Sequence, residues 1–194
     1  MSELQPLLAA ELSSLAAALA PLDEADWSRP SLCEGWAVRD VVAHLTMAAR
    51  YDAAQFGEEL AADGFDFQAM SDRIARRDGE LPSAALLVDL GSAALASFEQ
   101  PGGGWTGSIS HVVIHGLDVT LPLGLGRVAG DDATRLVLDG LVAPGDETVF
   151  GVALGDRALR ATDLAWEAGD GPAHQATAGE LVMLLSGRAP AEPG

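Results

Sequence analysis

The sequence predicts a mainly α protein, a four-helix bundle followed by a small C-terminal α/β appendage. Leucines recur at helical spacing near the N-terminus, three further long apolar-periodic segments follow, and beyond residue 130 the texture changes to short stretches separated by turn residues. These features divide the chain into a bundle over residues 1–128 and a smaller α/β region over 129–194.

The first helix is marked by Leu4, Leu8, Leu12, Leu15 and Leu19, and Pro21 ends the pattern. "LDEADWSRPSLCEGW" reads as a connecting loop whose Trp27 and Trp36 pack onto the core. A second helix is predicted from Ala37 to Leu60, with Asp40 in its first turn, where a carboxylate suits the positive end of the helix dipole. "FDFQAMSDRIARRDG" predicts a short peripheral helix ending near Gly79, and Pro82 to Phe98 a third long helix with Leu86, Leu87, Leu90 and Leu95 facing inward. After the break "EQPGGGW" comes a fourth helix from Thr106 to Leu121, apolar on several sides and ended by Pro122. "GGGW" lacks the preceding strand and the lysine of a phosphate loop, so it is read as a turn. In the C-terminal region "DDATRLVLDGLV" predicts a helix, "ETVFGVALG" and "ATDLAWEAGDG" carry strand-like stretches, and "TAGELVMLLSGR" predicts a last helix. The tail "APAEPG" reads as disordered.

Bulk properties exclude several function classes. With 29 acidic against 11 basic residues the formal charge is −18, which repels phosphate backbones and anionic lipid, so neither nucleic acid nor a membrane surface is expected as a partner. Nothing approaches the ~20 consecutive apolar residues of a membrane span. The N-terminus has no basic leader and contains Glu3 and Glu11, which predicts a cytoplasmic protein. Every basic residue is an arginine, which removes lysine as a base or Schiff-base former. Cys33, the single cysteine, forms no intramolecular disulfide and reads as a small buried hydrophobe. An oligomer is compatible with all of this.

The chemistry-bearing signal is "HVVIHGLDV". His111 and His115 are four residues apart and project from one face of the predicted fourth helix, where two imidazoles can share a metal ion. His44, in "VRDVVAHL", is a candidate third ligand if its helix lies alongside. Three neutral imidazoles leave a corner for water or substrate, the pattern of a catalytic zinc site, although nickel, cobalt and iron accept the same ligands. Asp40, four residues before His44, and Asp118, three after His115, are candidate carboxylates to orient these imidazoles, and Asp118 is also a candidate direct ligand. Histidines on an apolar helix are also found simply hydrogen-bonded in a core. His174, in "GDGPAHQA", reads as a solvent-facing loop residue.

"WSRPSLCEGWAVRDVVAHL", followed later by "HVVIHGLDVTLPLG", resembles the DinB-like superfamily and, within it, the mycothiol-dependent maleylpyruvate isomerase group. The echo consists of Trp, then Gly-Trp-x-Val-Arg-Asp leading into His-Leu, and His-Gly-Leu-Asp on a later helix. The resemblance implies a DinB-like four-helix bundle binding a divalent metal, typically zinc, through one ligand on the second helix and two on the fourth. Carried onto this chain, these are His44, His111 and His115. The isomerases of the group have glutamate at the position of His111, whereas three-histidine sites are common among DinB-like relatives, thiol transferases included.

The expected function is therefore that of a divalent-metal enzyme using a low-molecular-weight thiol, with mycothiol implied by the resemblance, against an electrophilic substrate, as a transferase or isomerase. Metal-activated water for hydrolysis would use the same ligands. Arg39 and Arg188 are candidate cosubstrate contacts, since arginine suits anionic and sugar-like groups, although arginines near helix ends are commonly surface residues. The competing readings are a non-catalytic metal or small-ligand binding protein of the same fold, and a helical partner-binding domain whose histidines only pack.

Overall fold

The computed structural model describes residues 2–142, 150, 152 and 157–188. It forms two compact units, Met1–Val128 and Ala129–Gly194. The architecture is mainly α, with one small sheet among the described residues.

In the first unit, Gln5–Leu19 (α1) buries Leu8, Leu12, Leu15 and Leu19 along one stripe, as the leucine spacing requires. The segment expected as a plain loop contains one helical turn, Glu24–Trp27 (α2), because Asp23 accepts hydrogen bonds from the Ala25 and Asp26 N–H groups. Trp27 is fully buried and Trp36 nearly so.

The single helix expected over 37–60 is three: Val38–Leu45 (α3), Met47–Arg50 (α4) and Ala53–Ala62 (α5). Two local competitors break it. The Thr46 hydroxyl donates back to the Val42 carbonyl at 2.7 Å, while the Arg50 guanidinium takes the Ala43 carbonyl. Asp52 then starts a new helix through a capping box with Gln55.

Phe67–Gly79 (α6) is not the short peripheral helix expected. Met70, Ile74 and Ala75 are fully buried, and α6 lies along α3. The approach is closest where Gly79 meets the first turn of α3. A Cβ at Gly79 would stand 2.2 Å from Asp40 Oδ1 and 3.4 Å from Asp40 Cα. Gly79→Ala is therefore expected to destabilise the protein by about 1–3 kcal/mol, since the clash is with a carboxylate that the Ala37 N–H holds in place, and a lowered urea midpoint would register it.

The third expected helix is interrupted at Gly91, with Ser92 capping a second piece, giving Ser83–Leu90 (α7) and Ala93–Ala96 (α8). Leu86, Leu90 and Leu95 are buried, while Leu87 is half-buried. Gly104–Thr120 (α9) is buried almost continuously from Val112 to Thr120 and packs against α1 and α3. No helix among the described residues is long and apolar enough to cross a membrane.

In the second unit, Asp131–Leu141 (α10) precedes three strands, Ala158–Ala161 (β1), Glu167–Ala168 (β2) and Ala173–Ala176 (β3), and Ala178–Leu185 (α11). The order is β2-β1-β3: β1 runs antiparallel to β2 and parallel to β3, with Leu159 opposite His174. The segment expected as a loop around His174 is thus an edge strand, and the histidine is exposed. Thr177 and Glu180 form the capping box of α11. Most of "ETVFGVALG" and all of the tail "APAEPG" lie outside the described residues.

Candidate metal centre

α3 delivers His44 near its C-terminal end, and α9 delivers His111 and His115 one turn apart. Because the two helices pack side by side, one donor nitrogen from each ring falls in a cluster whose members all lie within 4.8 Å of one another. The ring centroids are 4.8–5.0 Å apart and the planes cross steeply, so the rings meet edge to face instead of stacking. Trp36 closes one side, its ring centroid 5.2 Å from that of His44, and its indole N–H is tied to Asp72 on α6. His44 and His115 are each 9 % exposed, and His111 is half-buried.

The partners of the other ring nitrogens decide what the cluster can hold. His115 Nδ1 stands 2.9 Å from Asp118 Oδ2. A carboxylate only accepts, so the proton sits on Nδ1 and Nε2 keeps its lone pair. His44 Nδ1 stands 3.0 Å from the Ser71 hydroxyl, and with the hydroxyl accepting, His44 Nε2 is likewise a lone-pair donor. That Nε2 lies 2.8 Å from His111 Nε2. At this separation the two nitrogens share either an N–H···N hydrogen bond, with one ring donating, or a metal ion that draws a lone pair from each. Nitrogens sharing tetrahedral zinc at ~2.0–2.1 Å stand about 3.3 Å apart, so accommodating the ion requires the rings to part by roughly half an ångström. The donor set fits a borderline divalent cation.

Asp118 is fully buried, and its Oδ2 also accepts from the Cys33 thiol at 3.1 Å, while its carbonyl accepts from the Leu32 N–H at 2.9 Å. The loop before α3 is thereby fastened to α9. Cys33, expected to be a buried hydrophobe, is half-buried and hydrogen-bonded.

Asp40, expected as an orienter of His44, does something else. Its Oδ2 accepts from the Ala37 N–H at 2.8 Å and closes the first turn of α3. Burial pushes its carboxyl above the ordinary carboxylate range, with the Ala37 hydrogen bond opposing. The position beside His44 Nδ1 belongs to Ser71, which sequence reasoning missed. Arg39 also points elsewhere: at 100° per residue it sits about 140° around the helix from His44, and it pairs with Glu24. Arg188 belongs to the second unit, where its guanidinium lies 5.8 Å from the Phe150 ring centroid.

Orienting partners of this kind are worth roughly 10–100-fold in metal affinity. Ser71→Ala and Asp118→Asn are each expected to weaken zinc binding by about that factor, read by competition with a chromophoric chelator, while circular dichroism stays unchanged.

Residues 8–102 match the model of the mycothiol maleylpyruvate isomerase N-terminal domain. Its fold is the DinB-like one. Two solved structures are similar over the whole length, described as the mycothiol-dependent maleylpyruvate isomerase and a histidine-to-alanine mutant of it. Each aligns at 17 % identity with a TM-score of 0.50, covering 96 % of this chain and 89 % of the other. No curated protein is significantly similar to the chain.

Proposed function

We propose that His44, His111 and His115 hold a divalent cation, zinc being the best match to the ligands, and that the protein is an enzyme acting on a low-molecular-weight thiol and an electrophile. The observation that carries this reading is the convergence of three imidazole nitrogens from two helices within 4.8 Å, two of them 2.8 Å apart. The match of residues 8–102 to the mycothiol maleylpyruvate isomerase N-terminal domain supports mycothiol as the thiol.

A cation bound there would supply Lewis acidity and favour the ionised form of a thiol brought beside it. The chain's own residues do the rest. Asp118 fixes the tautomer of His115 and Ser71 holds the His44 ring through Nδ1, so both rings present Nε2 without a search over orientations. The Trp36 ring covers His44, reducing water contact on that side. The half-buried His111 stands at the more open side of the cluster, where a cosubstrate would enter. The reaction we favour is thiol transfer or a thiol-assisted isomerisation, in a cytoplasmic protein.

The test combines two measurements on untagged protein. Zinc-loaded protein should bind a low-molecular-weight thiol, as titrated calorimetrically, and should consume that thiol in the presence of a maleyl-type or other activated electrophile. Bound metal without thiol binding or turnover would leave a metal-binding protein of the same fold, and absence of stoichiometric metal would overturn the reading altogether.

A further inference from the structure

The carboxylate that orients His115 belongs to a second set of donors facing away from the first. Cys33 Sγ, His115 Nδ1 and Asp118 Oδ2 form a triangle with edges of 3.1 Å (S to O), 3.7 Å (S to N) and 2.9 Å (N to O). A tetrahedral ion with metal–sulfur near 2.3 Å and metal–nitrogen or metal–oxygen near 2.0–2.1 Å sets such edges at about 3.3–3.6 Å. Each observed edge is within about half an ångström of that range. The three groups come from two separately positioned elements, the loop before α3 and the last turns of α9. The Leu32 N–H bond to the Asp118 carbonyl holds the loop to α9 independently of the thiol. The triangle therefore does not rely on the Cys33 hydrogen bond for its assembly.

We propose that Cys33, His115 and Asp118 form a second cation position, selective for thiophilic divalent ions. Sulfur sets the preference, because a thiolate favours soft and borderline cations over magnesium or calcium. On binding, the Cys33 S–H bond breaks, the sulfur–metal bond forms and the thiol proton passes to solvent. The imidazole proton moves from Nδ1 to Nε2, so that Nδ1 becomes a donor and the ring stays neutral. His115 then serves one position at a time: Nε2 toward His44 and His111, or Nδ1 toward Cys33. The position itself stands apart from the function proposed above, and only this competition rests on that reading.

The probe is cadmium ion alone, added to metal-free untagged protein, with thiolate-to-cadmium charge-transfer absorbance as the readout. Cys33 is the single cysteine of the chain, so any such band reports on it. The expected result is a saturable band that is absent in Cys33→Ser. Asp118→Asn or His115→Ala should need at least ten times more cadmium to reach half its height. In the double variant His44→Ala, His111→Ala, which lacks the first position, the band should form at equal or lower cadmium than in wild type. The proposal is overturned if wild type gives no band, or if Asp118→Asn and His115→Ala leave its cadmium dependence unchanged, which is simple capture by a surface thiol. It is equally overturned if the double variant loses the band, since Cys33 would then be a fourth ligand of the first position. Far-ultraviolet circular dichroism of each variant separates these results from unfolding.

Discussion

His111→Ala should leave the purified protein without stoichiometric divalent metal. Metal analysis of untagged protein, dialysed against a weak chelator, makes the comparison. Structural zinc sites with four ligands are worth about 10–16 kcal/mol in all, so one ligand of three carries roughly 3 kcal/mol or more, which is on the order of 100-fold in affinity. The geometry makes the loss specific. His111 Nε2 lies 2.8 Å from His44 Nε2, and without it the two remaining rings, held by Ser71 and Asp118, lack the third imidazole of the cluster. His111→Glu is the informative companion, because a carboxylate oxygen is also a zinc ligand and a helical side chain of that length spans a similar reach. Recovery of metal in His111→Glu, beside its loss in His111→Ala, would assign the effect to coordination and not to packing. Equal metal content in wild type and His111→Ala would remove the basis of the proposed function.

The difference between the ligands and their supports shows what the sequence can carry. His111 and His115 are legible from the 3.6-residue period alone, and Asp118 from its place three residues beyond His115, because these relations lie within one helix. His44 was legible only as a conditional third ligand, which the family resemblance reinforced, since no local rule says which two helices lie side by side. Ser71 left no signal at all. It is 27 residues from His44 on a helix expected to be peripheral, and only the packing of α6 along α3 brings its hydroxyl to Nδ1. Asp40 was legible in its other role: a carboxylate in the first turn of a helix most simply caps it, and here it does.

The helix boundaries follow the same division. α1 and the C-terminal end of α9 were readable because a proline follows each, whereas α9 starts two residues before the expected Thr106, taking in Gly104 and Trp105 of the stretch read as a turn. The long helix expected over 37–60 failed at places where side chains compete for the backbone. Asp52 with Gln55 is a local signature visible in the sequence. The break at Thr46 is not, because it depends on where the Arg50 guanidinium goes, and that is fixed by two carboxylates far along the chain.

Those two carboxylates make Arg50 the residue whose loss should cost the fold most. Its side chain is 15 % exposed, with Nε donating to Asp78 at 3.0 Å and Nη1 to Asp89 at 2.8 Å and to the Thr46 hydroxyl at 2.7 Å. A single guanidinium thus ties the start of α4 to the end of α6 and to α7. Arg50→Met keeps the aliphatic stem but leaves Asp78, which is 7 % exposed, with only Tyr51 and Arg77 as partners, and takes from Asp89 its guanidinium. Removing one partner of a buried pair costs about 3–5 kcal/mol when the other charge is left uncompensated, and with Arg77 and Tyr51 still on Asp78 the expected loss is about 2–3 kcal/mol, a fall in melting temperature of roughly 5–10 °C for a chain of this size. The pH dependence gives the sign. Burial alone would push the Asp78 carboxyl up, but hydrogen bonds from Tyr51, Arg77 and Arg50 outweigh it and hold it below the ordinary range. A carboxyl lowered in the folded state contributes stability above its unfolded value near 3.9 and loses it as the pH falls through the lower folded value. In wild type this contribution should therefore persist to about pH 4 and fade below it. In Arg50→Met the carboxyl rises and the contribution should fade at higher pH, so melting curves from pH 3 to 7 should diverge most near neutrality and converge in acid. Parallel curves, or a melting temperature unchanged at pH 7, would show that the guanidinium does not hold α4, α6 and α7 together.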